Sequence, residues 1–83
     1  MPIPEYARDP DIALLADEMK RLRAEAGLTY EQLAERTRMS RRSVIAYEQG
    51  DTMGTLRHWF RISDALGVQF SQFVQMLDAD NAE

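Results

Sequence analysis

Residues 29–50, TYEQLAERTRMSRRSVIAYEQG, decide the fold. Thr29 can cap a helix with its hydroxyl, and Gln32, three residues on, can reach back to the Thr29 N–H, so a helix begins at Tyr30. Leu33 and Ala34 fall on one face and Glu31, Glu35 and Arg36 on the other, the polarity of a helix of about two turns with one buried side, ending near Thr37. Ser40 is a second N-cap. Val44, Tyr47 and Glu48 set a new helical repeat, which stops at Gly50, a residue suited to a left-handed C-terminal position. Only Arg38, Met39 and the cap join the two helices. So short a link forces a steep crossing, with the small Ala34 at the approach, and this is helix-turn-helix geometry, whose second helix can protrude into a major groove.

Outward from this centre the chain continues in helices. Asp9 and Pro10 read as an N-cap with proline at the first helical position. Ile12, Leu15, Met19, Leu22 and Ala26 then recur at steps of three and four up to Gly27, with Asp11 in the first turn and Lys20, Arg21 and Arg23 in later turns, as the helix dipole favours. Beyond Gly50, DTMG is a loop. Thr55 caps a fourth helix bearing Leu56, Trp59, Phe60, Ile62, Ser63 and Leu66, which Gly67 ends. Phe70, Phe73, Val74 and Leu77 form the stripe of a fifth, less firmly capped because Gln69 is a weak N-cap. The expected core collects Leu15, Met19, Leu22, Leu28, Leu33, Ala34, Val44, Leu56, Phe60, Ile62 and Leu66. The organisation read from these elements is a flexible segment at 1–9, a helical domain at 10–78 and an acidic tail at 79–83.

The 83 residues suit one domain with one core and leave no room for a second. Without cysteine there are no disulfides or thiolate metal sites. No apolar run is long enough to span a bilayer, and MPIPEYARDPD lacks the basic and apolar regions of a secretion signal, so a cytoplasmic location and no membrane partner are expected. No metal cluster, glycine-rich phosphate loop or nucleophile-and-base constellation stands out, so no catalytic residue, metal or cofactor is expected. Ser40 and Ser43 read as cap and helix surface. His58, the one histidine, reads as a lone surface residue.

The net charge is −4, which at first disfavours a phosphate-bearing partner. Its distribution reverses that. Residues 1–19 and 62–83 each carry −4, whereas residues 20–61 hold nine Lys or Arg against five acids, a balance of +4. A basic centre lies between acidic ends.

GLTYEQLAERTRMSRRSVIAYEQG followed by TLRHWFRISDALGV resembles the Cro/repressor (XRE-like) helix-turn-helix family of phage repressors and small bacterial regulators. The likeness runs from about Lys20 to Val74, with Gly27, Leu28, Ala34, Ser40, Glu48, Gly50 and the run from Ala65 to Val68 in register. It implies an all-α, five-helix lambda-repressor-like domain that binds double-stranded DNA and regulates transcription. In the family, positions matching Arg41 and Arg42 commonly approach bases, and that matching Ala46 can too. Chemistry agrees for the arginines, since a guanidinium fork donates two parallel hydrogen bonds to guanine O6 and N7. Arg41, Arg42, Ile45 and Ala46 are therefore the expected base-contacting residues, Ile45 and Ala46 through a thymine methyl.

Arg23, Thr29, Tyr30, Arg38, Ser40, Ser43, Thr52 and Thr55 are the expected backbone contacts. Arg23 and Glu48 match a family ion pair. Three departures stand out: Tyr30 replaces a usual glutamine, Arg38 replaces the turn glycine, and the loop after Gly50 carries Asp51 where relatives are often basic, which predicts weaker, more salt-sensitive binding. One such unit covers one major-groove face, so a homodimer is expected, with Phe70, Phe73, Val74 and Leu77 of the fifth helix and their neighbours Trp59 and Met76 as the candidate surface; alternatively Phe70, Phe73, Val74 and Leu77 close the core of the monomer. The competing class is a protein-interaction module on the same fold, an antitoxin or inhibitor, and a regulatory protein partner fits either reading.

Overall fold

The computed structural model describes residues 9–79 as six helices: α1 (Ile12–Ala26), α2 (Tyr30–Thr37), α3 (Arg41–Gln49), α4 (Leu56–Ala65), α5 (Phe70–Phe73) and α6 (Gln75–Ala79). No strand occurs among the described residues. The flexible segment expected at 1–9 and the tail expected at 79–83 lie outside them, apart from Asp9 and Ala79.

The helix starts follow from short polar side chains. Thr29 accepts from the Gln32 N–H at 3.0 Å while Gln32 Oε1 accepts from the Thr29 N–H at 2.9 Å, completing the expected capping box of α2. Ser40 caps α3 and Thr55 caps α4 through bonds to the N–H groups of Ser43 and His58. The start of α1 differs from expectation. Asp11, not Asp9, is the cap, accepting from the Ala13 N–H at 3.1 Å, and Pro10 lies outside the helix. Both aspartates fit a cap; Asp11 has an extended backbone, φ −88° and ψ 95°, that aims its carboxylate at the first turn.

α2 meets α3 through the expected tight turn. Arg38 takes a left-handed φ of 58°, and its N–H and that of Met39 both close onto the Ala34 carbonyl. Thr37, buried beneath, donates to the Leu33 carbonyl at 2.8 Å, so the hydroxyl enters the interior satisfied. α1 packs on α3, and α4 packs on α2. Arg36 adds an unexpected tie from α2 to the end of α4 by donating to the Ala65 carbonyl at 3.2 Å.

The core gathers Leu15, Met19, Leu28, Leu33, Met39, Val44, Tyr47, Trp59, Ile62 and Phe73. Three corrections to the expected interior follow. Leu56 and Phe60 are 73% and 54% exposed, because α4 turns Trp59, Ile62 and Ser63 inward instead. Trp59, expected on a dimer surface, is only 4% exposed, and Phe73, for which surface and core were both open, is 1% exposed and in the core, the two rings 5.9 Å apart. The fifth helix is interrupted at Val74, whose φ −95° and ψ 3° leave helical geometry, and it starts without a side-chain cap at Gln69. Phe70, Val74, Met76 and Leu77 pack, half-buried, against the core.

Candidate nucleic-acid interface

α3 is held from below and bare above. Val44, Tyr47 and Glu48 are buried, whereas Arg41 and Arg42 are exposed at its leading end and Ser43, Ile45 and Ala46 are half-buried beside them. The period of the helix produces this division, since residues 44, 47 and 48 share one face. The four side chains expected at base edges thus share the outer part of one short helix.

The anchor of α3 is an ion pair in which a carboxylate has left water. Glu48 has a side chain only 1% exposed, and Arg23 meets it with Nε at 2.7 Å and Nη2 at 3.2 Å. Arg23 Nη1 donates to the Leu28 carbonyl at 2.8 Å, tying the end of α1 into the same knot. The Glu48 carboxylate holds the Arg23 guanidinium above its ordinary pKa although burial opposes this. The expected pair is present, and Arg23 spends at least three of its N–H groups inward.

Tyr30 lies against this knot. Arg23 Cζ stands 4.3 Å from its ring centroid and Arg41 Cζ 5.6 Å, so the ring face offers both cations a cation–π contact. The phenol is pushed above its ordinary pKa, first by hydrogen bonding toward Glu48 and then by burial. Its hydroxyl therefore has an acid beside it as well as any phosphate it could reach.

Arg41 is paired as well. Its Nε donates to Glu31 Oε2 at 2.6 Å, with the two side chains 56% and 67% exposed. Glu31 stands in the first turn of α2, and its carboxylate is held below the usual range first by its own backbone N–H and then by Arg41. Arg42 has no hydrogen-bond or ion-pair partner among the described residues. Sequence reasoning placed Glu31 outward and gave it no role; an acid one residue past the start of α2, facing the start of α3 across a two-residue turn, was the available signal.

The hydroxyls expected at phosphates are engaged locally as acceptors. Thr29, Ser40 and Thr55 cap helices, and Thr52 Oγ1 accepts from the Gly54 N–H at 3.1 Å. Ser40 also donates to Ser43 Oγ at 2.9 Å, so its proton is used. The loop from Asp51 to Thr55 is fastened from inside. The Tyr47 hydroxyl accepts from the Thr55 N–H at 3.0 Å and lies 2.9 Å from His58 Nδ1, while Trp59 Nε1 donates to the Met53 carbonyl at 3.0 Å. His58 is thus a half-buried member of a network, not the lone surface histidine that was expected.

One further cation on α1 is balanced within the helix. Arg21 is bracketed by Glu18 at 2.7 Å and Glu25 at 2.6 Å, which raise its pKa above the ordinary value. Lys20, Arg36, Arg38, Arg42, Arg57 and Arg61 have no ion-pair partner among the described residues.

Comparison with known proteins agrees with the helix-turn-helix fold. The helix-turn-helix family matches residues 19–73. An uncharacterised HTH-type transcriptional regulator of Methanothermobacter thermautotrophicus is 41% identical over 61 residues, covering 74% of this chain and 88% of that protein. No solved structure matches the chain. Among the described residues no helix is long and apolar enough to cross a membrane.

Proposed function

This chain belongs to the helix-turn-helix family of DNA-binding, non-enzymatic transcriptional regulators, and from that premise we propose that it places α3 in the major groove of a specific operator as a dimer. The observation that carries the reading is the two-sided character of α3: one face is locked to α1 by Arg23 and Glu48, while Arg41, held only by the exposed Glu31, and the unpaired Arg42 stand in solvent at its leading end. A rigid helix with arginine forks at its tip can dock in a groove and read guanine edges. Ile45 and Ala46 follow as apolar contacts to thymine methyls. Arg38, Thr29, Thr52 and Thr55 surround them as contacts to phosphate. Whether an occupied operator represses or activates depends on its place relative to a promoter.

Two copies are needed to cover two half-sites about 34 Å apart. Leu56, Phe60, Met53 and the half-buried Phe70 supply an exposed apolar face, with Phe60 and Phe70 rings 5.7 Å apart. On α4 that face is bordered by Arg57 and, seven residues on, Asp64. Antiparallel pairing of two α4 helices about a two-fold axis near Phe60 sets each Arg57 toward Asp64 of the second copy, a self-complementary arrangement.

The protein-interaction reading gains from one observation, the Arg41–Glu31 pair, because an arginine occupied within the fold is less available to DNA. The pair is more than half exposed on both sides and Arg42 is unpaired, so the reading gains at one arginine only. Of the acidic ends, residues 1–8 and 80–83 lie outside those described, and no acid of 9–19 or 62–79 pairs with α3.

The test is selection from a randomised duplex library across a salt series, beside the double variant Arg41→Ala, Arg42→Ala. Enrichment of a palindromic guanine-containing site by the wild type alone is the expected result. Weak, salt-sensitive binding without enrichment would turn the search to protein partners.

A further inference from the structure

Arg41 and Arg42 are adjacent, identical and exposed, yet they stand in different surroundings. Glu31 accepts the Nε–H of Arg41 at 2.6 Å, and the Tyr30 ring lies 5.6 Å from Arg41 Cζ. A guanidinium has two edges able to donate a parallel pair of bonds, one using Nε with a terminal nitrogen and one using both terminal nitrogens. Glu31 takes the Nε–H of the first. The second is unused among the described residues, and its spacing suits O6 and N7 of one guanine.

Arg42 lacks such a hold. A side chain that turns freely must give up its rotamers to read a base, whereas it can meet a phosphate in many orientations. Glu31 itself would face the DNA backbone, so its charge costs general affinity while it orders Arg41.

Building on the operator reading above, we infer that Glu31 is a positioning residue for base recognition: by holding Arg41 Nε beside the Tyr30 ring, it presents the terminal fork of Arg41 to one guanine in each half-site and leaves Arg42 to the phosphate backbone. The pair is more than half exposed at both ends, so its loss leaves folding nearly untouched and its effect is read in sequence selection.

The experiment measures affinity for the selected site, for its single base-pair variants and for unrelated duplex, using wild type, Glu31→Ala, Glu31→Gln, Arg41→Ala and Arg42→Ala. Wild type and Arg42→Ala are expected to share a guanine preference that Arg41→Ala loses. Glu31→Ala should reduce discrimination at that guanine by about five- to tenfold, with binding to unrelated duplex equal or stronger. Glu31→Gln keeps the shape and an acceptor oxygen and should retain more discrimination than Glu31→Ala, an order that loss of folding would not produce. Full discrimination in Glu31→Ala, the reverse order, or a guanine preference that follows Arg42 would overturn the inference while operator reading stood. A wild-type protein that selects no sequence would overturn operator reading itself, and this inference with it.

Discussion

At the scale of single residues, Glu48 is the most exacting choice in the chain. Its side chain is 1% exposed and its charge is tolerated because Arg23 supplies two donors to it. Arg23→Ala would leave that charge without its partner, a loss of about 3–5 kcal/mol that urea unfolding would register, and Glu48→Gln should cost less because no charge is stranded. The same carboxylate predicts a pH effect at Tyr30. Its folded pKa is raised above 10.0, so the contribution is complete below the unfolded phenol value and is lost as pH climbs through the raised folded one. Absorbance titration, with Tyr30→Phe identifying the residue, should find this phenol ionising late and Glu48→Gln bringing it back. Gly54 is exacting for a different reason. Its φ is 72° and an added Cβ would fall on the Tyr47 ring, so Gly54→Ala should cost about 2–4 kcal/mol in the same unfolding assay. Relations of this kind are not a matter of local spacing. Arg23 and Glu48 stand 25 positions apart and were legible only through family resemblance; the Gly54–Tyr47 approach and the Glu31–Arg41 pair exist only once the turns have closed.

At the scale of elements, what sequence could reveal was what the backbone decides within four residues. The caps at Thr29, Ser40 and Thr55 each satisfy an N–H three positions on, so both helices of the turn were bounded correctly from their sequence. α1 shows the limit, since Asp9 and Asp11 offer the same chemistry two residues apart and the helix starts after the second. The break at Val74 was equally hidden, because residues 70, 73, 74 and 77 keep helical spacing across a backbone that leaves the helix. Arg38 tests the turn itself. Its left-handed φ of 58° strains a side chain, and glycine would relieve about 1–2 kcal/mol while raising the entropy of the unfolded chain. Arg38→Gly should therefore gain up to about 1 kcal/mol in thermal unfolding. If Arg38 meets a phosphate, the same variant should bind DNA with a salt slope lower by about one.

At the scale of the whole molecule, apolar periodicity established that α4 is buried without establishing which side. Its apolar residues cover more than half the circumference, and the interior takes Trp59 and Ile62 while Leu56 and Phe60 remain in water. Met39, in the turn, joined the core without any repeat to announce it. The consequence is a surface that an isolated protomer leaves uncovered. Fully burying Phe60 is worth about 1.5–3 kcal/mol per copy, enough with Leu56 and Met53 to favour association against its entropic cost only weakly. Dimerisation should accordingly be concentration-dependent in sedimentation experiments, and Phe60→Asp should abolish it with little effect on the melting of the monomer, because the residue lies outside the core. On a palindromic operator the variant should bind each half-site independently, losing cooperativity while keeping the base preferences set by α3. A Phe60→Asp protein that remained dimeric would place the two-fold interface elsewhere, and one that lost base preference as well would show that α4 and the recognition helix are coupled through the core they share.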